Sequence, residues 1–346
     1  MALDIFKRVE TYKGLFAIEK ISLIYNLLTS VLVVILYDLM DHPAQMLWDR
    51  ALIAFVTFLL MYLYRLAPCK FSAFVRVVIQ MSLLSYWYPD TFEFNRLFLN
   101  LDHVFASAEQ SLFGGQPSIW FSRCLPQMWV SEPLNLGYFF YYPMMLIIIL
   151  WYFIHRYDLL EKVSFVIITS FFIYYLIYIF VPVAGPQFYF PAIGFDQVAQ
   201  GHFPPIGDYF NYHQELLPSP GYEHGFFYSL VESSQQVGER PTAAFPSSHV
   251  GVSTILMIMA WRGSKRLFGW LLPFYLLLCA ATVYIQAHYL IDSIAGFFSA
   301  FLLYWVATWM FKKWFTQPLF SPLKPGLRVD ACWWGGSVPP SFSKKT

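Results

Sequence analysis

The chain has 346 residues, a formal net charge of +1 and 58% hydrophobic residues, while only 12% of its residues are charged. This charged fraction is about half the share found in soluble globular domains, so the composition predicts an integral membrane protein. The near-zero net charge excludes bulk electrostatic attraction to nucleic acid or another acidic polymer, and any ligand must be bound through local features.

The first twenty residues carry charges throughout and lack both an apolar stretch and a small-residue cleavage site, so no cleaved signal peptide is predicted. Apolar runs long enough to cross a bilayer then begin at eight places, which predicts an all-α polytopic bundle of about eight spans. The third run contains Arg76 and is the weakest of the eight. The runs begin near Ile21, Leu52, Phe71, Leu136, Val163, Val250, Leu267 and His288.

Two stretches of the outer loops, LDHVFASAEQSLFG and QPSIWFSRCLPQMW, combine apolar and aromatic positions at helical spacing with polar ones. They predict short helices lying in the membrane interface. Such helices either pack over the bundle or form a rim that admits a lipid tail, and both interpretations stay open.

The orientation follows from the positive charges, which are retained in the cytoplasm. Alternate segments between the predicted spans hold 18 of the 22 Lys and Arg residues, including both terminal segments. Both termini are therefore expected in the cytoplasm. Seven of the eight histidines then fall on the opposite, extracytoplasmic or luminal side.

The segment ERPTAAFPSSHVG joins the longest outer loop to the sixth predicted span. Pro246 suits the first turn of a helix, and Ser247 or Ser248 can cap its free amides. A helix N-terminus offers unpaired N–H groups and the positive end of the macrodipole. It therefore predicts an anion site within reach of His249.

His288 and Asp292 open the eighth span, four residues apart. In a helix this spacing places them on one face, where the carboxylate can accept from one imidazole nitrogen and leave the other as a nucleophile. Asp292 is also the first charge inside an apolar span, which marks it as a functional candidate.

Arg240 is the only Lys or Arg between the fifth and sixth predicted spans, and its guanidinium group matches phosphate oxygens. The alternative is a surface ion pair with Glu239 or Glu232. Together these features predict a phosphoryl-handling site on one side of the membrane. The rings of His249 and His288 should then face one cavity, with a gap wide enough for a phosphate.

These motifs resemble those of the type 2 phosphatidic acid phosphatase superfamily, whose members carry a Pro-Ser-x-His motif and a later His-x-x-x-Asp motif. The matching residues are Pro246, Ser247 and His249, and then His288 and Asp292. Within that superfamily the chain is most similar to the inositol phosphorylceramide synthase branch of inositolphosphotransferases. That likeness rests on Ala281 and Tyr284 ahead of the second motif and on the segment PVAGPQFYF.

The resemblance implies a lipid phosphatase or phosphotransferase that acts on a lipid phosphate or phosphodiester without a metal or other cofactor. His288 would attack phosphorus to form a phosphohistidine, Asp292 would orient and charge-balance the ring, and His249 would protonate the leaving oxygen. Water or an alcohol would resolve the intermediate. The expected partners are the lipid substrate and membrane lipids, with no nucleic acid.

The chain is accordingly divided into four parts. A catalytic membrane domain is expected over residues 135–314, preceded by accessory spans and an outer amphipathic loop over 21–134. A cytoplasmic N-terminus is expected over 1–20 and a cytoplasmic tail over 315–346.

The phosphate-binding residues depart from those of the phosphatase branch. That branch has a Lys and Arg motif near the end of the fifth span and an Arg six residues before the nucleophile. Here the corresponding positions hold Pro186, Gln187 and Thr282. The phosphate is therefore expected to be bound by Arg240, Ser247, Ser248 and Gln187, and a neutral Gln suits a phosphodiester of lower charge.

Two other classes of function use the same residues. In a transporter or flippase, His288 and Asp292 would form a proton relay, but such proteins usually show inverted repeats, which the sequence lacks. In a haem protein, His249 and His288 would be axial ligands, and a visible absorption spectrum would reveal the haem.

Overall fold

The computed structural model describes residues 5–7 and 14–315. Within these ranges the regular structure consists of α-helices and short 3₁₀ helices, which confirms the predicted all-α class. Residues 316–346 of the predicted tail and residues 1–4 and 8–13 of the predicted N-terminal segment lie outside the described residues.

Four helices form the N-terminal part: α1 (Ala17–Ile35), α2 (Pro43–Leu66), α3 (Lys70–Ser82) and α4 (Leu84–Asn95). Arg76, the charge in the third predicted span, is buried on α3 and pairs with Glu19 of α1, with Nη2 and Oε2 2.5 Å apart. Its guanidinium group also lies over the ring of Phe16, 3.7 Å from the centroid. This pairing is how an apolar bundle accommodates the charge.

The next five helices are α5 (Asp102–Phe113), α6 (Pro117–Cys124), α7 (Met128–Phe139), α8 (Tyr141–His155) and α9 (Tyr157–Phe180). α7 and α8 meet at an angle of 46°. α9 is the central helix of the bundle and contacts α1, α4 and α8. Because it is enclosed by other helices, it is apolar on all of its faces.

The last six helices are α10 (Pro186–Ile193), α11 (Phe195–Ala199), α12 (Phe226–Gly238), α13 (Ser248–Gly263), α14 (Lys265–Tyr284) and α15 (Leu290–Trp314). α13 packs against α8, α9, α14 and α15, so it is enclosed like α9. The first turn of α13 and the turn between α14 and α15 therefore meet at one end of the bundle.

Among the described residues, five helices are long and apolar enough to cross a membrane, namely α1, α2, α9, α14 and α15. The bent pair α7 and α8 makes a sixth if it is one span. The third predicted span is divided between α3 and α4, and the sixth corresponds to α13, which has 16 residues where about 20 cross a bilayer. The helices are compatible with an integral membrane protein, and the number eight stays a prediction.

The outward faces of the long helices are apolar. Leu27 on α1 is 66% exposed, Phe55 on α2 is 62% exposed and Phe298 on α15 is 67% exposed. Large apolar surfaces of this kind suit contact with hydrocarbon better than contact with water.

The first predicted outer helix corresponds to α5, which packs against α10 and α15. Its acidic residues Asp102 and Glu109 are completely buried. α5 therefore packs on the helices that surround the start of α15, and its place in the membrane interface stays a prediction. The second predicted stretch begins with α6, which packs against α14.

Candidate active site

His249 lies in the first turn of α13, and that turn is fixed by hydrogen bonds. The Ser247 hydroxyl caps the helix by accepting from the Val250 amide (3.3 Å), while the Ser248 amide donates to the hydroxyl of Tyr178 on α9 (3.0 Å). The imidazole ring stacks on Tyr138 of α7 with ring centroids 4.8 Å apart. The ring therefore has a fixed neighbour on one face.

His288 lies in the turn between α14 and α15 and is buried. Its amide donates to the Thr282 carbonyl (3.0 Å), and its Nδ1 lies 2.8 Å from the Ala244 carbonyl oxygen. Since a carbonyl oxygen only accepts, Nδ1 carries the hydrogen and Nε2 keeps its lone pair. Burial lowers the pKa of His288 to about 4, so the ring is neutral at pH 7.

The two rings come together as the sequence predicted, in one cavity. His288 Nε2 lies 3.5 Å from His249 Nδ1, and both rings line a cavity of about 10 Å³. The expected gap for a phosphate is closed, because this volume is near the minimum for one water molecule. A phosphoryl group can enter only when the surrounding side chains move, and catalytic contacts of an empty site commonly tighten only with substrate.

Asp292 lies near His288 but does not hydrogen-bond to its ring. Its Oδ2 is 3.9 Å from His288 Nδ1 and accepts instead from the Tyr289 amide (2.9 Å). His288 precedes the first residue of α15, and the Ala244 carbonyl occupies the position at Nδ1 where a carboxylate was expected. The orienting hydrogen bond thus comes from the backbone, and the Asp292 carboxylate lies beside the ring without a hydrogen bond to it.

Two buried acids of α5 hold the turn that carries His288, and the sequence prediction missed them. Asp102 accepts from the amides of Ala184 (2.7 Å) and Gly185 (2.8 Å) and from the Tyr289 hydroxyl (3.0 Å). Glu109 accepts from the Leu290 amide (2.6 Å), the first residue of α15. The two acids are seven residues apart, which is two helical turns, and this spacing was the signal available in the sequence.

Gln187 lies in the wall of the cavity. Its amide donates to the Gln286 carbonyl (2.9 Å), and its side-chain oxygen accepts from Gln235 of α12 (3.2 Å). Gly185, two residues earlier, has φ +94°, and a Cβ there would lie 2.6 Å from the Ala287 carbonyl oxygen. This close approach, possible only for glycine, brings the segment carrying Gln187 against the turn of His288.

The predicted phosphate-binding residues are only partly together. Ser248 and Gln187 line the cavity, whereas the Ser247 hydroxyl is engaged in capping α13. Arg240 is not in the cavity wall, and its Nη1 donates to the backbone carbonyl of Glu239 (2.9 Å). None of the described residues that line the cavity is Lys or Arg, but Glu239 lines it.

A larger apolar pocket of about 350 Å³ adjoins the same site. His249 and Glu239 line its polar end, and Leu84, Met145 and Phe171 line its apolar part. Leu84 belongs to α4, so the N-terminal helices supply part of the wall. The arrangement places a site for an apolar chain beside the two histidines.

A comparison with known protein families matches residues 103–306 to the PAP2 superfamily. The match covers more than half of the 346 residues and includes both histidines. No curated protein and no solved structure gave a significant match. With its two histidines in one buried cavity and this match along most of its length, the chain belongs to the PAP2 superfamily.

Proposed function

We propose that this protein is a membrane-embedded lipid phosphatase or phosphotransferase that works through a phosphohistidine at His288. Family membership supports a phosphatase-type enzyme acting on lipid phosphates. One observation carries the finer assignment: His288 Nε2, with its lone pair, faces His249 Nδ1 at 3.5 Å while the Ala244 carbonyl holds the other nitrogen.

In the first half-reaction, the Nε2 lone pair of His288 attacks phosphorus, a nitrogen–phosphorus bond forms and the bond from phosphorus to the lipid oxygen breaks. His249 gives a proton to that oxygen, and the approach of the anionic substrate favours its protonated form. In the second half-reaction, water or an alcohol attacks phosphorus and returns a proton to His249, and the bond between Nε2 of His288 and phosphorus breaks. Asp292, 3.9 Å from Nδ1, balances the positive charge on the ring.

The phosphate oxygens are proposed to bind the amides at the start of α13 together with Ser247, Ser248 and Gln187. Arg240 joins them only after its side chain turns from the Glu239 carbonyl towards the cavity. The catalytic unit corresponds to residues 135–314, with residues 21–134 as accessory spans.

The apolar pocket supports a lipid substrate. It opens onto His249, so a lipid held there by its chain presents its phosphate to both histidines.

We also propose that the enzyme belongs to the inositolphosphotransferase-like branch, because Gln187 replaces a cation in the cavity wall. The termini are proposed to be cytoplasmic and the site extracytoplasmic or luminal.

The test uses purified protein in detergent with phosphatidic acid, a prenyl diphosphate, and phosphatidylinositol together with ceramide. Wild-type protein should release phosphate or transfer a headgroup, and His288→Ala should do neither. With phosphorus-labelled substrate, His249→Ala should accumulate an acid-labile phosphohistidine if its slow step is resolution. The proposal is wrong if no substrate reacts and no phosphohistidine is trapped, or if His288→Ala turns over like the wild type.

A further inference from the structure

Glu239 is a carboxylate at the junction between the two cavities. It lines the small cavity that holds both histidines and also the apolar pocket. Its side chain is largely surrounded by protein and keeps part of its surface accessible. Neither of the histidine motifs accounts for an acid at this position.

The carboxylate is held in place by a residue from outside the matched family region. The Tyr88 hydroxyl on α4 donates to Glu239 Oε2 at 2.6 Å. A carboxylate has about four acceptor positions, so it can accept further hydroxyl donors beside Tyr88. The site is therefore suited to a ligand that carries hydroxyl groups.

The charges around the cavity favour a substrate of low negative charge. No Lys or Arg lines it among the described residues, and Glu239 adds an acid to it. A phosphate monoester approaches dianionic charge near neutral pH, whereas a phosphodiester carries a single negative charge. Repulsion by a nearby carboxylate acts more strongly on the dianion.

We infer that Glu239 is a specificity-determining residue that selects a phosphodiester lipid with a hydroxyl-bearing headgroup over a phosphomonoester lipid. The carboxylate accepts hydrogen bonds from the headgroup hydroxyls and repels the second charge of a monoester. This inference rests on the proposed attack by His288, in which the lipid alcohol leaves from all of these substrates alike.

The experiment compares three lipids that share one leaving group. Phosphatidylglycerol is a diester with hydroxyls, phosphatidylethanol is a diester without them, and phosphatidic acid is a monoester. Release of diacylglycerol by the full-length protein in detergent gives kcat/KM for each. Wild-type protein should prefer phosphatidylglycerol to both others, with a ratio of about tenfold over phosphatidic acid, equivalent to about 1.4 kcal/mol.

The informative variant is Glu239→Gln, which keeps the shape of the side chain and removes its charge. It should raise kcat/KM for phosphatidic acid relative to phosphatidylglycerol by about tenfold, which abolishes the preference. Tyr88→Phe is the matched control, because it removes the hydroxyl that donates to Glu239 Oε2 but keeps the carboxylate. Its preference for phosphatidylglycerol over phosphatidic acid should remain.

Two outcomes overturn the inference while leaving the proposed function intact. One is turnover of the three lipids with equal ratios in wild type and Glu239→Gln. The other is an equal loss on all three lipids in both variants, which indicates a structural role of the Tyr88 hydrogen bond. Failure of the proposed function is distinct, since wild type would then turn over no lipid, or His288→Ala would retain turnover.

Discussion

The ring of His288 is positioned by backbone rather than by an acid. The Ala244 carbonyl takes the Nδ1 hydrogen at 2.8 Å, and Asp292 Oδ2 lies 3.9 Å from that nitrogen. A backbone carbonyl fixes the tautomer as well as a carboxylate does, but it carries no full charge. The tautomer of His288 is therefore set by the Ala244 carbonyl, and the charge balance is proposed to come from a separate group, Asp292.

This division predicts a moderate effect of Asp292→Asn. The ring should keep its tautomer, so kcat should fall about 100-fold rather than by the ~10⁴-fold seen where the acid itself orients a catalytic histidine. Steady-state release of diacylglycerol measures the change. A loss of activity as complete as that of His288→Ala would contradict it.

The control for this variant is Asp292→Ala. It also removes the acceptor of the Tyr289 amide, which is 2.9 Å from Oδ2. It should therefore lower the melting temperature in detergent, whereas Asp292→Asn keeps an acceptor oxygen and should lower it less.

At the scale of whole helices, α5 holds the N-terminus of α15 in place through hydrogen bonds. Glu109 caps the first residue of α15, and Asp102 ties the segment before α10 to the same place. The free N–H groups at a helix start need such partners when they are buried. The turn that carries His288 is thus held in place by a helix that contains none of the motif residues.

Glu109 should make stability depend on pH. Burial raises its pKa from 4.5 to about 7, so the folded protein binds the proton more tightly than the unfolded chain. The stabilisation that the protonated Glu109 gives to the folded protein is complete below about pH 4.5 and is lost as the pH rises through about 7. Glu109→Gln cannot titrate, so its melting temperature should fall less than that of wild type between about pH 5 and pH 8.

The comparison of melting curves isolates this one group, because all other titrations are common to both proteins. Ser111→Ala, an exposed change on the same helix, is the control and should follow the wild-type slope. Identical slopes for wild type and Glu109→Gln would show that the group titrates normally in the folded protein.

The apolar pocket is another property of packed elements, since its wall combines α4, α8 and α9. Met145→Trp should fill part of it and raise KM for long-chain lipids roughly tenfold, with short-chain substrates affected less. Leu146→Trp is the matched control, because Leu146 is 53% exposed and lies outside the pocket. Equal effects of the two variants would argue against the pocket as the site of the lipid chain.

For the molecule as a whole, the proposed side of the membrane for the site rests on the distribution of positive charge in the sequence. Cys124, at the end of α6, is exposed and lies on the side proposed to be extracytoplasmic or luminal. Lys265, the first residue of α14, is exposed and lies on the proposed cytoplasmic side. The two positions therefore report on opposite faces.

Labelling with a membrane-impermeant maleimide tests this orientation in intact cells or in sealed vesicles of known sidedness. In a chain without its other cysteines, Cys124 should react from the extracytoplasmic or luminal side. Lys265→Cys, with Cys124 replaced, should react from that side only after permeabilisation. The reverse pattern would place the site in the cytoplasm.

The sequence by itself determined the all-helical class and singled out His249 and His288, whose rings the structure brings together. These follow from patterns within short stretches of chain: apolar runs, a capped helix start and a His with an Asp four residues later. Such patterns depend on neighbours along the chain, so they can be identified without knowing the packing. The number of spans was harder to predict from the sequence, because helix breaks such as that between α3 and α4 depend on packing as well as on composition.

Only the tertiary structure decided what surrounds those histidines. Ala244 reaches His288 across 44 residues, Glu109 reaches Leu290 across 181, and Tyr88 reaches Glu239 across 151. Contacts between positions so far apart leave no periodic signal in one sequence. A contact made by a backbone carbonyl leaves no sequence signal at all, since every residue has a backbone carbonyl. The residues that orient His288 and set the charge of its cavity were therefore decided by packing.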